Sequence, residues 1–218
     1  MFAILELFLP PKFRLMEVKR APISLYAEVT PNPAVMKFVA NKMLIEQDHV
    51  EFKNIEEAAP SPLAQKLFHF PFIKEVFISG NYFAISKFNI AEWEDVSQEI
   101  RMFILEELQT GTPVLNDFVK QEETVIEGEE KVDLPDLENL DDVEKRIVEI
   151  LDEYVTPAVA QDGGFIRFMG YENKVVKVLL QGACSGCPSS TMTLKNGILQ
   201  ILQNMLPTLV DDVEAVNG

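Results

Sequence analysis

Apolar and polar positions divide this chain into short periodic stretches separated by turn residues. Ile23–Val29 predicts a strand that ends at the turn cluster Thr30-Pro-Asn-Pro33. Pro33 suits the first position of a helix and predicts a short one over Ala34–Val39. Short strand-like pieces follow around Lys42–Ile45 and Val50–Phe52. Ser61-Pro62 reads as N-cap then N1 of a helix over Leu63–Phe68, which Pro71-Phe72 closes. Ile73–Ser79 and Tyr82–Lys87 flank Gly80-Asn81, a two-residue hairpin turn. In Trp93–Leu108, Trp93, Val96, Ile100, Phe103, Ile104 and Leu108 recur at helical spacing, and Gly111 ends the run.

The pattern then stops. Between Asn116 and Asp142 there are eleven Asp/Glu and two Lys, few large apolar residues and no sustained period. Such a stretch cannot bury enough surface to offset its ordering entropy, and its charges repel one another. It predicts a flexible acidic linker over 116–142. Periodicity resumes at Asp141 and Glu144, which match a capping box. Val143, Ile147, Ile150, Leu151, Tyr154 and Ala158 mark one helical face, and Asp162-Gly163-Gly164 breaks it. Phe165–Met169 and Val175–Leu180 predict a hairpin across Tyr171–Lys174. Pro188 suits N1 of a last helix that buries Leu194, Ile198, Ile201, Leu202 and Met205. Val213–Val216 could return to the sheet as a strand. The expected fold class is therefore α+β, in two small domains. An N-terminal α+β domain spans 22–115, and a C-terminal αββα(β) domain spans 143–218.

The first residues, 1–21, read as an extension. Met1–Leu9 is apolar, but no basic segment precedes it and Glu6 interrupts it, so it makes a poor signal peptide. Met16 looks like the more natural start. No run of about 18 apolar residues exists to span a membrane. The formal net charge of −16 disfavours nucleic acid and anionic membrane surfaces as partners. Two cysteines in 218 residues exclude a secreted disulfide scaffold and point to a reducing cytoplasmic setting.

Those two cysteines carry the chemistry. They stand three apart in Gly182-Ala-Cys184-Ser-Gly-Cys187-Pro188, between a strand and a helix N-terminus. Unpaired N–H groups at a helix start favour thiolate over thiol. Gly182 and Gly186 would let the backbone approach a bulky ligand. Ser185, Ser189, Ser190 and Thr191 could donate hydrogen bonds to sulfur. No His, Asp or Glu lies in the loop, so its ligand set is sulfur only. Sulfur ligation fits an iron–sulfur cluster or Zn²⁺, and either wants four thiolates. Each chain offers two. The count predicts a homodimer in which Cys184 and Cys187 of each copy close one site on a two-fold axis, near the surface. Two alternatives stay open: a zinc module, and a dithiol–disulfide oxidoreductase using the same pair. Against the second, the pair comes late in the chain, follows a hairpin, and has its Pro after the second Cys.

Glu149-Ile-Leu-Asp-Glu-Tyr-Val-Thr-Pro157, Gln161-Asp-Gly-Gly164 and Leu180-Gln-Gly-Ala-Cys-Ser-Gly-Cys-Pro-Ser-Ser-Thr-Met-Thr-Leu-Lys-Asn-Gly197 resemble the C-terminal domain of NifU-like (Nfu-type) proteins. Thr30-Pro-Asn-Pro33 with Lys37-Phe38, Ser61-Pro-Leu-Ala64 with Lys66-Leu-Phe68, and Ile73-Lys-Glu-Val-Phe77 resemble the domain that precedes it in Nfu proteins. The resemblance covers about residues 22–115 and 143–217. It implies an iron–sulfur scaffold or carrier, not an enzyme, that holds a [4Fe–4S] cluster between two subunits at Cys184 and Cys187. A [2Fe–2S] form is left open. The implied partners are apo iron–sulfur clients and upstream cluster donors. Gly163-Gly164, Gly182 and Pro188 carry over as shaping residues. The chain lacks the further cysteine-bearing domains of the multi-domain nitrogen-fixation scaffold, so a late-acting carrier fits better than a primary scaffold.

Other polar candidates have plainer readings. Asp162 is weighed as a cluster-tuning acid against a helix or turn cap, and the cap is favoured. Lys195 is equally a solvated lysine or a counter-charge to a cluster. His49, His69 and Trp93 are expected to pack rather than ligate. Thr30–Pro33 is expected to be a structural turn rather than a client-docking loop.

Overall fold

The computed structural model describes residues 22–47, 49–116, 140–185 and 188–217. The expected extension at 1–21, nearly all of the expected linker, Gly186 and Cys187 lie outside the described residues. Five antiparallel strands form the first sheet: β1 (Leu25–Val29), β2 (Val35–Ala40), β3 (Val50–Phe52), β4 (Ile73–Ser79) and β5 (Tyr82–Lys87). Their order is β1-β2-β5-β4-β3. Helices α1 (Pro62–Leu67) and α2 (Trp93–Thr110) cover one face. Ser61 caps α1, its hydroxyl accepting Ala64 N–H at 3.1 Å and donating to Val114 O at 2.6 Å. Gly111, in the left-handed region at φ 85°, ends α2.

The helix expected over Ala34–Val39 is instead the strand β2, paired with both β1 and β5. Every residue of it is buried. Met36, Phe38 and Ala40 join the core beneath the helices, with Val76, Ile78, Phe83 and Ile85 from the neighbouring strands. Val35 and Val39 point the other way, with Phe77, Tyr82 and Ala84. Strand geometry sends alternate residues to opposite faces, so burial on both faces needs a second layer. That layer is the C-terminal half of the chain, as Ala183 and Phe165 pack in the same cluster. The strand-like piece expected over Lys42–Ile45 is not a strand.

The second half follows the expected order. Leu140 is already buried in its core, and α3 (Asp142–Ile150) starts with the full capping box of Asp141 and Glu144. A wide π-type turn, Leu151–Val155, joins α3 to α4 (Thr156–Gln161); Thr156 N–H reaches back five residues to Leu151 O. Strands β6 (Gly164–Glu172) and β7 (Val175–Gly182) form the hairpin, turning at Asn173 and Lys174, both at positive φ. Helix α5 (Pro188–Met205) follows, and β8 (Asp212–Asn217) returns parallel to β7. Ile166, Phe168, Val176, Val178 and Leu180 face the helices and pack on Ile147, Ile150, Ile198 and Leu202.

Candidate functional site

The cysteine loop begins where β7 ends. Gly182 adopts φ +65°, which a side chain would strain. Its carbonyl accepts both Ser185 N–H at 3.1 Å and Ser185 Oγ–H at 2.9 Å, which curls the loop back on itself. Ala183 N–H donates to Gly163 O at 3.1 Å, and Thr191 Oγ1 donates to Cys184 O at 3.3 Å. The hydroxyls of Ser185 and Thr191 thus hold backbone, not sulfur. Gly164 lies directly under Cys184: a Cβ there would fall 2.5 Å from the Cys184 sulfur.

Cys184 is buried, with only 6% of its surface exposed. A cavity of about 430 Å³ opens beside it, lined also by Pro31, Asp162, Ala183, Thr193, Leu194 and Gly197. Burial, and then the negative charge of Asp162, push the Cys184 thiol up to about 12. This corrects the expectation of an accessible, easily ionised thiolate near the surface. The reason is desolvation: a thiolate this buried keeps little of the water that would stabilise it, and the nearby Asp162 charge adds to the cost. A bound metal ion would reverse the balance, because ligation replaces the proton. Among the described residues, no three His, Cys, Asp or Glu side chains converge on a metal-sized site. Cys187, the second expected ligand, lies outside the described residues.

The first sheet closes over this loop. A single row of residues crosses its free face in register: Glu28, Lys37, Ala84, Phe77 and Glu51, one from each strand. Lys37 Nζ donates to Ala160 O and Gln161 O, both at 2.9 Å, at the end of α4. It also lies 4.4 Å from the Tyr82 ring centre. Burial lowers its pKa, with the charges of Glu28 and Asp162 opposing. Tyr82 OH donates to Gly164 O at 3.2 Å. The Glu51 carboxylate accepts Gly182 N–H at 3.0 Å and a Gln181 amide N–H at 3.3 Å. His49 Nε2 lies 2.7 Å from Gln181 Oε1, and its ring sits on Phe165 with centroids 3.9 Å apart. The Asn32 amide spans the loop itself, donating to Ala183 O at 3.2 Å and Ser185 O at 3.4 Å, the carbonyls either side of Cys184.

Two glycines expected to shape a ligand site prove to fit this junction. A Cβ on Gly182 would meet Phe77 at 3.1 Å and Gly163 O at 2.8 Å. One on Gly163 would touch Lys37 and Ala84. Asp162 caps the end of α4 through its backbone N–H, as favoured, while its charge still acts on Cys184. Lys195 is paired with Asp212 at 3.1 Å. His69 bonds Gln65 O, and Trp93 packs edge-on against Phe38 in the core. The Thr30–Pro33 turn is structural, as expected, yet its Asn32 touches the cysteine loop. Sequence reasoning missed Asn32, Lys37, Glu51 and Tyr82. The available signal was the apolar run on β2, β4 and β5, too long for strands covered on one face only.

Comparison with known proteins gives these two units their relatives. Residues 25–111 match the family described as scaffold protein Nfu/NifU N terminal, and 147–214 match the NifU-like domain. The NFU1 iron-sulfur cluster scaffold homolog, mitochondrial, of Drosophila sechellia is 37% identical over 206 residues, covering 94% of this chain and 68% of that protein. The protein of the same name from Drosophila erecta matches to the same extent. The solution structure of a NifU-like protein from Saccharomyces cerevisiae shares 23% identity with a TM-score of 0.40, over 45% of this chain and 89% of that one. The fly relatives are named mitochondrial, which overturns the cytoplasmic setting expected above. Sparse cysteines report a reducing environment and do not identify which compartment supplies it. With both domains matched in order and such identity over most of its length, this chain belongs to the Nfu/NifU family of iron–sulfur cluster scaffold proteins.

Proposed function

We propose that this scaffold protein carries a [4Fe–4S] cluster as cargo between two copies of the chain, held by Cys184 and Cys187 of each, and hands it to apo-proteins. The observation that supports this most is the placement of Cys184. It stands in a loop between β7 and the 18-residue α5, on a cavity, and among the described residues no group of three His, Cys, Asp or Glu surrounds it. Two thiolates per chain leave a cluster half ligated, and a second copy supplies the remainder. Transfer is ligand exchange. A client thiol gives up its proton and bonds iron; the iron–Cys184 bond breaks, and the departing cysteine takes a proton. No electron moves, and the cargo leaves unchanged, so the chain acts as a carrier rather than an enzyme. Upstream donors load it by the same exchange in reverse. The mitochondrial names of the relatives make mitochondrial iron–sulfur enzymes the first clients to try.

Anaerobic reconstitution with iron and sulfide tests this directly. The expected product is a dimer with about four iron atoms and a [4Fe–4S] Mössbauer signature. Cys184→Ala and Cys187→Ala should each abolish iron retention and dimerisation while circular dichroism stays unchanged. A colourless, monomeric product that reduces disulfides would make the chain a thiol–disulfide oxidoreductase instead.

A further inference from the structure

We propose that the free face of the N-terminal sheet is a clasp for the cysteine loop, which keeps Cys184 from being shared until the two halves of the chain part. The proposal rests on the reading that Cys184 receives the cluster, and it concerns how access to that residue is controlled.

The contacts are those of a fitted surface rather than a chance collision. Val35, Val39, Phe77, Tyr82 and Ala84 form an apolar patch filled by Ala183 and flanked by Phe165. Around it, polar groups pair across the contact. Lys37 satisfies two carbonyls at the end of α4, Glu51 satisfies the Gly182 amide, and Tyr82 satisfies the Gly164 carbonyl. Polar groups paired in this way at a largely buried contact mark it as specific, because each one left unpaired would be costly. The absence of side chains at Gly163 and Gly182 lets the two backbones approach the sheet.

The clasp is aimed at the cysteine. Asn32 bonds the carbonyls on both sides of Cys184, and Pro31 lines the cavity beside it. With only 6% of its surface exposed, Cys184 cannot meet the same residue of a second copy across a two-fold axis in this arrangement. Cys184 packs over Gly164 in the core of the second half, and the first half adds Pro31 and Asn32 to that cover, so sharing a cluster would begin with the sheet lifting from the loop. The face so freed carries Lys37, Glu51, His49 and an apolar centre.

Thiol labelling tests the clasp without iron. The reduced full-length chain is pulsed with iodoacetamide, and modification at Cys184 is followed by mass spectrometry. Wild type is compared with Asn32→Ala/Glu51→Ala and, separately, with Lys37→Met, which keeps the buried stem but loses both carbonyl contacts. Cys184 should label at least about tenfold faster in both variants, since each loses buried hydrogen bonds that hold the closed form. Equal rates in wild type and a folded variant overturn the proposal. So does a wild-type chain whose Gly182 amide proton exchanges at the unprotected rate, whatever the variants do. Failure of iron binding in a folded variant whose Cys184 labels fast would instead strike the cluster reading and leave the clasp standing.

Discussion

The Glu51 carboxylate accepts the backbone N–H of Gly182 at 3.0 Å, across 131 positions of sequence. Burial pushes this carboxyl up from its ordinary range, and the Gly182 hydrogen bond works in the opposite direction. A carboxyl raised in the folded state contributes stability that is complete below its unfolded value of about 4.3 and is lost as pH rises through the folded value. The wild-type chain should therefore lose thermal stability as pH climbs from about 4.5 toward neutrality, in so far as Glu51 governs it. Glu51→Gln keeps an acceptor for Gly182 and removes the charge. Its melting temperature should exceed wild type at pH 7 and converge with it near pH 4. A variant that melts lower than wild type at pH 7 would contradict the assignment.

Cys184 should titrate far outside the ordinary thiol range in the cluster-free chain. With its thiol pushed up to about 12, alkylation should climb about tenfold per pH unit from 7 to 10 without a plateau. A surface thiol levels off near pH 9. The sign for stability is that of any acid raised on folding: the contribution is present below about 8.5 and lost as pH approaches 12. A levelling of the Cys184 rate below pH 9 would count against the buried thiol.

Gly164→Ala should displace Cys184 rather than simply destabilise the sheet. The added carbon would sit 2.5 Å from the sulfur, 2.9 Å from Cys184 Cβ and 3.0 Å from Gln181 O. Overpacking of this kind costs about 1–3 kcal/mol. Urea unfolding should show that loss, and reconstitution should show less iron retained per chain.

The helix caps offer a way to ask whether the two halves unfold together. Ser61→Ala removes the α1 cap and the bond to Val114 O; Asp141→Ala removes the α3 capping box. Each should cost about 1 kcal/mol, and the fully buried Ser61 more. If the halves are coupled, each substitution moves a single common transition measured by both Trp93 fluorescence and circular dichroism. Separate transitions, each moved by one variant only, would show that the contact adds little to stability.

The elements of the second half were legible because their signals are local, although Tyr154, Ala158 and Met205, expected on buried helical faces, are exposed. The Asp141–Glu144 box, the Asp162-Gly163-Gly164 break and the Tyr171–Lys174 turn each depend on neighbours within a few positions. The same holds for the Gly80-Asn81 hairpin and the Ser61-Pro62 start. Val35–Ala40 misled because Pro33 is a genuine helix-start signal. The competing signal, an apolar run around Lys37, takes its meaning only from a second layer supplied some 130 residues later. Lys37 and Glu51 are charged residues within short strands, and no local rule distinguishes them from solvent-facing positions. The cysteine motif pointed to sulfur ligation but not to burial, since burial of Cys184 depends on packing beyond the motif.

The two-sided sheet also has a history within each round of synthesis. Ala183, which fills the apolar patch of Val35, Val39, Phe77, Tyr82 and Ala84, is made about a hundred residues after the last of them. At ribosomal rates of about 5–20 residues per second, that patch stands uncovered for several seconds or longer. A nascent chain at this stage presents a sheet face with nothing above it, the kind of surface that chaperones hold and that aggregates when they do not. Truncations that end before the second half should accordingly be far less soluble than their finished first core implies.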